Sequence, residues 1–129
     1  MEISELYKLF LQHPQVTTDS RDCPAGSIFF ALKGESFDGN KFAELAIDKG
    51  CSYAVVDEAE YVKPDDGRFI MVDDCLKALQ QMANYHRREL GTKIIGITGT
   101  NGKTTTKELV YTVLSEKYNV LCTLGNFNN

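Results

Sequence analysis

A chain of 129 residues, 43% hydrophobic and 25% charged, has the length and apolar content to bury one ordinary core, which excludes a disordered chain. The net charge is −4 and unevenly placed: residues 1–90 carry 10 Lys/Arg against 16 Asp/Glu, and residues 91–129 carry 4 against 2. This balance excludes the basic stripe of a nucleic-acid surface, and no apolar run approaches the roughly 20 residues of a membrane span.

In chain order, Ser4–Leu11 is helix-like, with Leu6, Leu9 and Phe10 on one side and His13-Pro14 as its stop. A polar loop follows, then the turn Pro24-Ala25-Gly26 and the dense apolar run 28–32, which reads as a buried strand. A second polar loop runs from Glu35 to Asn40, where Asn40 is placed to cap a helix that faces Phe42, Leu45 and Ala46 inward and closes at Gly50. Strands are predicted at 53–56 and 69–72. Asp73 then caps a helix through Leu90, with Leu76, Leu79, Ala83, His86 and Leu90 at helical intervals and Gly91 as terminator. Beyond it come a strand at 94–98, a helix at 104–117 with Leu109, Val110, Val113 and Leu114 on its apolar face, and a short strand at 120–123. The fold expected is α/β: a small mixed-sheet domain over 1–88, followed by the truncated start of a P-loop ATPase domain over 89–129.

That second assignment rests on residues 94–108, IIGITGTNGKTTTKE. An apolar strand runs into a glycine-rich turn and then a Lys-Thr-Thr helix start, the local arrangement of a nucleotide triphosphate loop. Gly99 and Gly102 let the backbone of Thr100 and Asn101 approach phosphate oxygens, Lys103 adds a mobile cation, and Thr104 offers its hydroxyl to Mg²⁺. The helix N-terminus adds its positive end, and Thr105 and Thr106 beside it each read either as a further phosphate contact, with Thr105 taken as the candidate, or as helix surface. Measured against G-x-x-x-x-G-K-[ST] the motif is a variant, because six positions before Lys103 stands Ile97. The competing reading is an ordinary strand-turn-helix with a solvated lysine. Only 26 residues follow Lys103, so the nucleotide domain reads as cut short, with an edge that packing against the first domain or self-association of the fragment would cover.

Two further loops carry charge beside predicted strand ends. Thr18-Asp19-Ser20-Arg21 combines hydroxyls, a carboxylate and a guanidinium whose fork of donors suits a diphosphate; the alternative is a surface Asp19–Arg21 pair. Lys33-Gly34 closes the strand before it, and Asp38-Gly39-Asn40 reads first as a turn and helix cap, with substrate contact as the other reading. Two dispersed histidines and four dispersed cysteines without a C-x-x-C pair make a zinc site unexpected, and no secretory segment precedes the thiols, which are expected to be reduced in a cytoplasmic protein.

At these residues the chain resembles the Mur ligases of bacterial cell-wall synthesis, a superfamily that includes folylpolyglutamate synthetases. The stretches that carry the resemblance are Thr18-Asp19-Ser20-Arg21, PAGSIFFALKGESFDGNKF at 24–42, ALQ at 78–80, GITGTNGKTTTKE at 96–108 and TLGNFNN at 123–129. It implies an N-terminal domain holding a UDP-muramyl precursor and a central ATPase domain. Ser20 and Arg21, with Lys33, Gly34, Asp38 and Gly39, fall on the substrate-binding loops of the first; Lys103 and Thr104 are the phosphate and magnesium residues of the second; Asn126 and Asn129 lie on an asparagine-rich loop at the cleft. Where many relatives have histidine after Asp-Gly, this chain has Asn40. The activity implied is ATP- and Mg²⁺-dependent amide-bond formation, in which the carboxylate of UDP-MurNAc-tripeptide is activated as an acyl phosphate and attacked by the amine of D-Ala-D-Ala. The family's further metal carboxylate and carbamylated lysine lie beyond residue 129, so the fragment alone is expected to be inactive. Readings from other classes are a related Mur or folyl ligase with another acceptor, and a non-catalytic nucleotide-binding module.

Overall fold

The computed structural model describes residues 1–124 and divides the chain into two units, Met1–Thr92 and Lys93–Asn129. In the first unit, helix α1 (Ile3–Gln12) starts where the Glu2 N–H is taken by the Glu5 carboxylate at 3.2 Å. It buries Leu6 and Tyr7 and packs on α3 (Cys75–Leu90), where Tyr7 Oη and His86 Nδ1 lie 3.0 Å apart.

Between these helices in the chain, β1 (Val16–Thr17), β2 (Ile28–Phe30), β3 (Tyr53–Val56) and β4 (Phe69–Met71) form one sheet in sequential order. The register pairs Val16 with Ile28, Ile28 with Tyr53, and Ala54 with Phe69. The three strands read from sequence thus share one sheet. Every ladder is parallel, and the mixed character expected of the sheet reduces, among the described residues, to one antiparallel bridge between Lys33 and Asp38. Parallel strands covered on both faces must be apolar throughout, and Ile28, Phe29, Phe30, Ala54, Val55 and Val56 are all essentially inaccessible.

Three local expectations shift by a residue or two. The cap of α3 is Asp74 rather than Asp73: Asp74 accepts the Lys77 N–H at 2.8 Å, while Val72 still donates to Val56 O at 2.9 Å and keeps the chain extended to that point. The helix accordingly buries Cys75, Ala78 and Met82 and leaves Leu76 and Leu90 exposed. Asn40 is not a cap. It lies inside a short 3₁₀ turn, Gly39–Phe42, capped by Asp38, ahead of α2 (Ala43–Asp48), whose buried side is Ala43, Ala46 and Ile47, with Leu45 exposed.

The second unit contains α4 (Lys103–Ser115), which begins after Gly102 in the left-handed region. The expected strands at 94–98 and 120–123 are not formed. An extended apolar segment becomes a strand only through a ladder, and no described residue pairs with either segment. Ile94, Ile95, Leu109 and Val113 are each more than 60% exposed. No described helix is long and apolar enough to cross a membrane.

Candidate functional site

In a parallel sheet the C-terminal strand ends fall on one edge, and loops leaving that edge are where open α/β sheets take ligands. Here the strand order runs without reversal, so the edge gathers loops but contains no topological switch point.

The loop after β1 wraps the Thr17 hydroxyl, which donates to Asp22 O at 2.8 Å. Arg21 closes back on Asp19: its backbone N–H and Nε lie 2.9 Å from Oδ1, and Nη2 lies 2.7 Å from Oδ2. The surface pair is therefore formed, and the Arg21 side chain remains 88% exposed. Ser20 is half-buried and its carbonyl accepts from Lys49 Nζ at 2.9 Å. The Arg21 guanidinium holds the Asp19 carboxyl down from 3.8 to about 2. Because the folded value is the depressed one, the pair is complete above the ordinary carboxylate range and is lost as pH falls toward 2. An NMR titration of the Asp19 carboxyl carbon is expected to show this low midpoint, and Arg21→Ala to return it toward the ordinary range; an unchanged midpoint would place the pair only in the static structure.

The loop after β2 is a tight return. Gly34 N–H donates to Phe37 O at 2.8 Å, Gly39 N–H to Leu32 O at 2.9 Å, and Asp38 Oδ1 accepts both the backbone and side-chain N–H of Asn40, at 3.0 and 2.9 Å. The Asn40 amide hydrogen bond, with its backbone N–H, keeps the Asp38 carboxyl below its usual range. Lys33 is paired with Asp57 and Glu58, each at 2.8 Å, which pushes its ammonium pKa up. Asp57 is the residue that sequence reasoning missed. Burial raises its pKa, but hydrogen bonds from Lys33, Asn40 and the Cys75 N–H outweigh this and hold it ionised below the usual range. No described hydrogen bond or ion pair joins the Ser20–Arg21 loop to the Lys33–Gly39 loop.

In the second unit, Gly99 (φ 149°) and Gly102 (φ 72°) bracket Thr100 and Asn101, and neither has an atom within 4 Å of where a Cβ would stand. The turn delivers the chain into α4 at Lys103, so the first-turn N–H groups of Lys103, Thr104 and Thr105 have no intrahelical acceptor. Lys103 Nζ folds over the turn onto the Gly99 carbonyl. An open glycine-lined turn, a helix N-terminus and a half-exposed lysine fit a polyphosphate. No cluster of three or more His, Cys, Asp or Glu suited to a metal exists among the described residues. A Mg²⁺ here would take one oxygen from Thr104 and the rest from phosphate and water. Asn126 and Asn129 lie outside the described residues.

A family model described as "Mur ligase family, catalytic domain" matches residues 14–87, and one described as "Mur ligase middle domain" matches 97–129. The UDP-N-acetylmuramoyl-tripeptide--D-alanyl-D-alanine ligase of Bacillus subtilis is 44% identical over 98% of this chain and 30% of its own length. The UDP-N-acetylmuramoyl-L-alanyl-D-glutamate--2,6-diaminopimelate ligase of Chlorobium phaeobacteroides is 36% identical over 78% and 20%. A crystal structure of MurF ligase from Thermotoga maritima in complex with ADP superposes with a TM-score of 0.78 at 30% identity, covering 88% of this chain and 26% of that one. The chain thus spans less than a third of the length of these proteins. With the first model matching more than half of the residues and the second following in the expected order, the chain belongs to the Mur ligase family.

Proposed function

We propose that this chain is the precursor- and phosphate-holding part of a cytoplasmic, ATP-dependent ligase that joins D-Ala-D-Ala to UDP-MurNAc-tripeptide in peptidoglycan synthesis. Residues 1–88 form the precursor-binding domain and 89–129 the beginning of the central ATP-binding domain. The observation that carries the reading is the open Gly99–Gly102 turn feeding the N-terminus of α4 at Lys103, in a chain whose other unit offers two polar loops beside its strand ends.

When bound, MgATP supplies the phosphoryl group that activates the precursor carboxylate for attack by the amine of D-Ala-D-Ala. Lys103 stabilises charge on the β- and γ-phosphates, the N–H groups of 99–105 hold the remaining oxygens, and the Thr104 hydroxyl orients the magnesium. Arg21 and Ser20, with the Lys33–Gly39 loop including Gly34 and Asp38, receive the UDP-bearing end of the precursor. Asn126 and Asn129 complete the proposed set of substrate-binding residues. The exposed apolar residues of the second unit make self-association of the isolated chain the expected way to cover them.

The test is a titration of UDP-MurNAc-tripeptide into the isotopically labelled chain, with MgATP in a separate series. The precursor is expected to perturb 20–21 and 33–39, and the nucleotide 99–106. Arg21→Ala should cost about 1.5–3 kcal/mol of precursor affinity, the scale of a lost hydrogen bond to a charged group. Precursor perturbations confined to 99–106, or an affinity indifferent to Arg21→Ala, would show the division of labour to be wrong.

A further inference from the structure

Lys33 is the cation of the second loop, yet its charge is already matched. Its Nζ lies 2.8 Å from Asp57 Oδ1 and 2.8 Å from Glu58 Oε1, so two carboxylates stand against one ammonium. For Lys33 to turn toward a diphosphate, both contacts must break and a carboxylate only 10% exposed must lose its counter-charge.

Asp57 is the point on which this loop converges. It follows β3, and the oxygen that takes Lys33 also takes Asn40 Nδ2 at 2.9 Å, while its other oxygen takes the Cys75 N–H at the start of α3, at 3.1 Å. The Asp57 backbone N–H returns to Asn40 Oδ1 at 3.1 Å, closing a two-bond ring with an asparagine that is 1% exposed. The segment from 33 to 40 is therefore tied at both ends to one carboxylate, which is itself fixed by a strand end and a helix N-terminus.

Resting on the reading that this loop receives the precursor, we infer that Asp57 is a positioning residue for the precursor site. By pinning Lys33 and Asn40 it presents the loop tip at 35–37, and Lys33 serves the site through Asp57 without touching the diphosphate.

The test is a double-substitution cycle on the 129-residue chain, with UDP-MurNAc-tripeptide as the probe and amide hydrogen exchange as an independent readout. Asp57→Asn is expected to speed exchange at Gly34, Gly39 and Asn40 while Ala54–Val56 keep their protection, and to weaken precursor binding about tenfold. Lys33→Met, at a half-exposed side chain that leaves the core untouched, is expected to weaken binding by a similar factor. The double variant should bind no worse than the weaker single one, because the same linkage is lost in each. Lys33→Arg, which keeps the ion pair, should restore most of the affinity. Losses that multiply in the double variant place Lys33 on the ligand itself and overturn the inference. So does unchanged exchange at 34–40 in Asp57→Asn. A parent chain that leaves the precursor unbound overturns the functional reading and this inference with it, a failure told apart by an exchange response that persists without ligand.

Discussion

Replacing Lys103 by methionine is expected to lower MgATP-dependent turnover of a Mur ligase carrying this segment by about 10²–10³-fold, the scale on which one donor to developing charge acts. Helix content and the thermal midpoint of the 129-residue chain should not change. The two outcomes separate because the Lys103 side chain contributes little to the fold: it is half-exposed, and its described hydrogen bond is to the Gly99 carbonyl of its own turn. Methionine keeps the unbranched stem and removes the charge. The Gly99–Gly102 backbone remains able to meet phosphate oxygens, so weak nucleotide binding should persist in the variant. Arginine is expected to be a poor replacement, since a planar fork cannot occupy the position of a compact ammonium over a tight turn. Phosphate release and ligation, measured side by side, check this; turnover within a few-fold of the parent would remove Lys103 from the site.

That turn was readable because its parts are contiguous: two glycines, a lysine and a helix start within five residues declare one geometry. The buried strands were readable for a related reason, since an unbroken apolar run such as Ile28–Leu32 between a turn and Lys33-Gly34 has few other places to go. β1 was not. Val16–Thr17 is β-branched but too short a run to declare a strand, and it becomes one by pairing with Ile28 and Phe29. The choice between Asp73 and Asp74 as cap is likewise made elsewhere, by how far the β3–β4 pairing extends. Asp57 is the clearest case. In sequence it belongs to an acidic stretch, and its role appears only when the ends of β2 and β3 and the start of α3 are brought to one carboxylate. The converse holds for 94–98, where an apolar segment is evident but no described residue supplies a ladder.

Gly39→Ala is expected to destabilise the first unit by about 1–3 kcal/mol, the usual cost of forcing an extra methyl into a filled interior. A Cβ at this position would stand 2.6 Å from Leu32 O, 2.8 Å from Leu32 N and 2.8 Å from the Ala31 carbonyl carbon. All three are backbone atoms of the segment that continues β2, so no side chain can swing aside. The strain is one of contact, since the Gly39 backbone does not lie in the left-handed region. Relief requires the loop to move away from β2, which stretches the 2.9 Å Gly39–Leu32 hydrogen bond and pulls Asn40 from Asp57. Gly67 offers the internal control: a Cβ there meets nothing within 4 Å, and its φ is not positive. Gly67→Ala should therefore be neutral or stabilising by up to about 1 kcal/mol, through the unfolded chain. Urea midpoints, followed on the amides of Ala54–Val56, compare the two. If Gly39→Ala instead unfolds at the parent midpoint and fails only in binding UDP-MurNAc-tripeptide, the glycine is required for the approach of the ligand and not for the approach of β2.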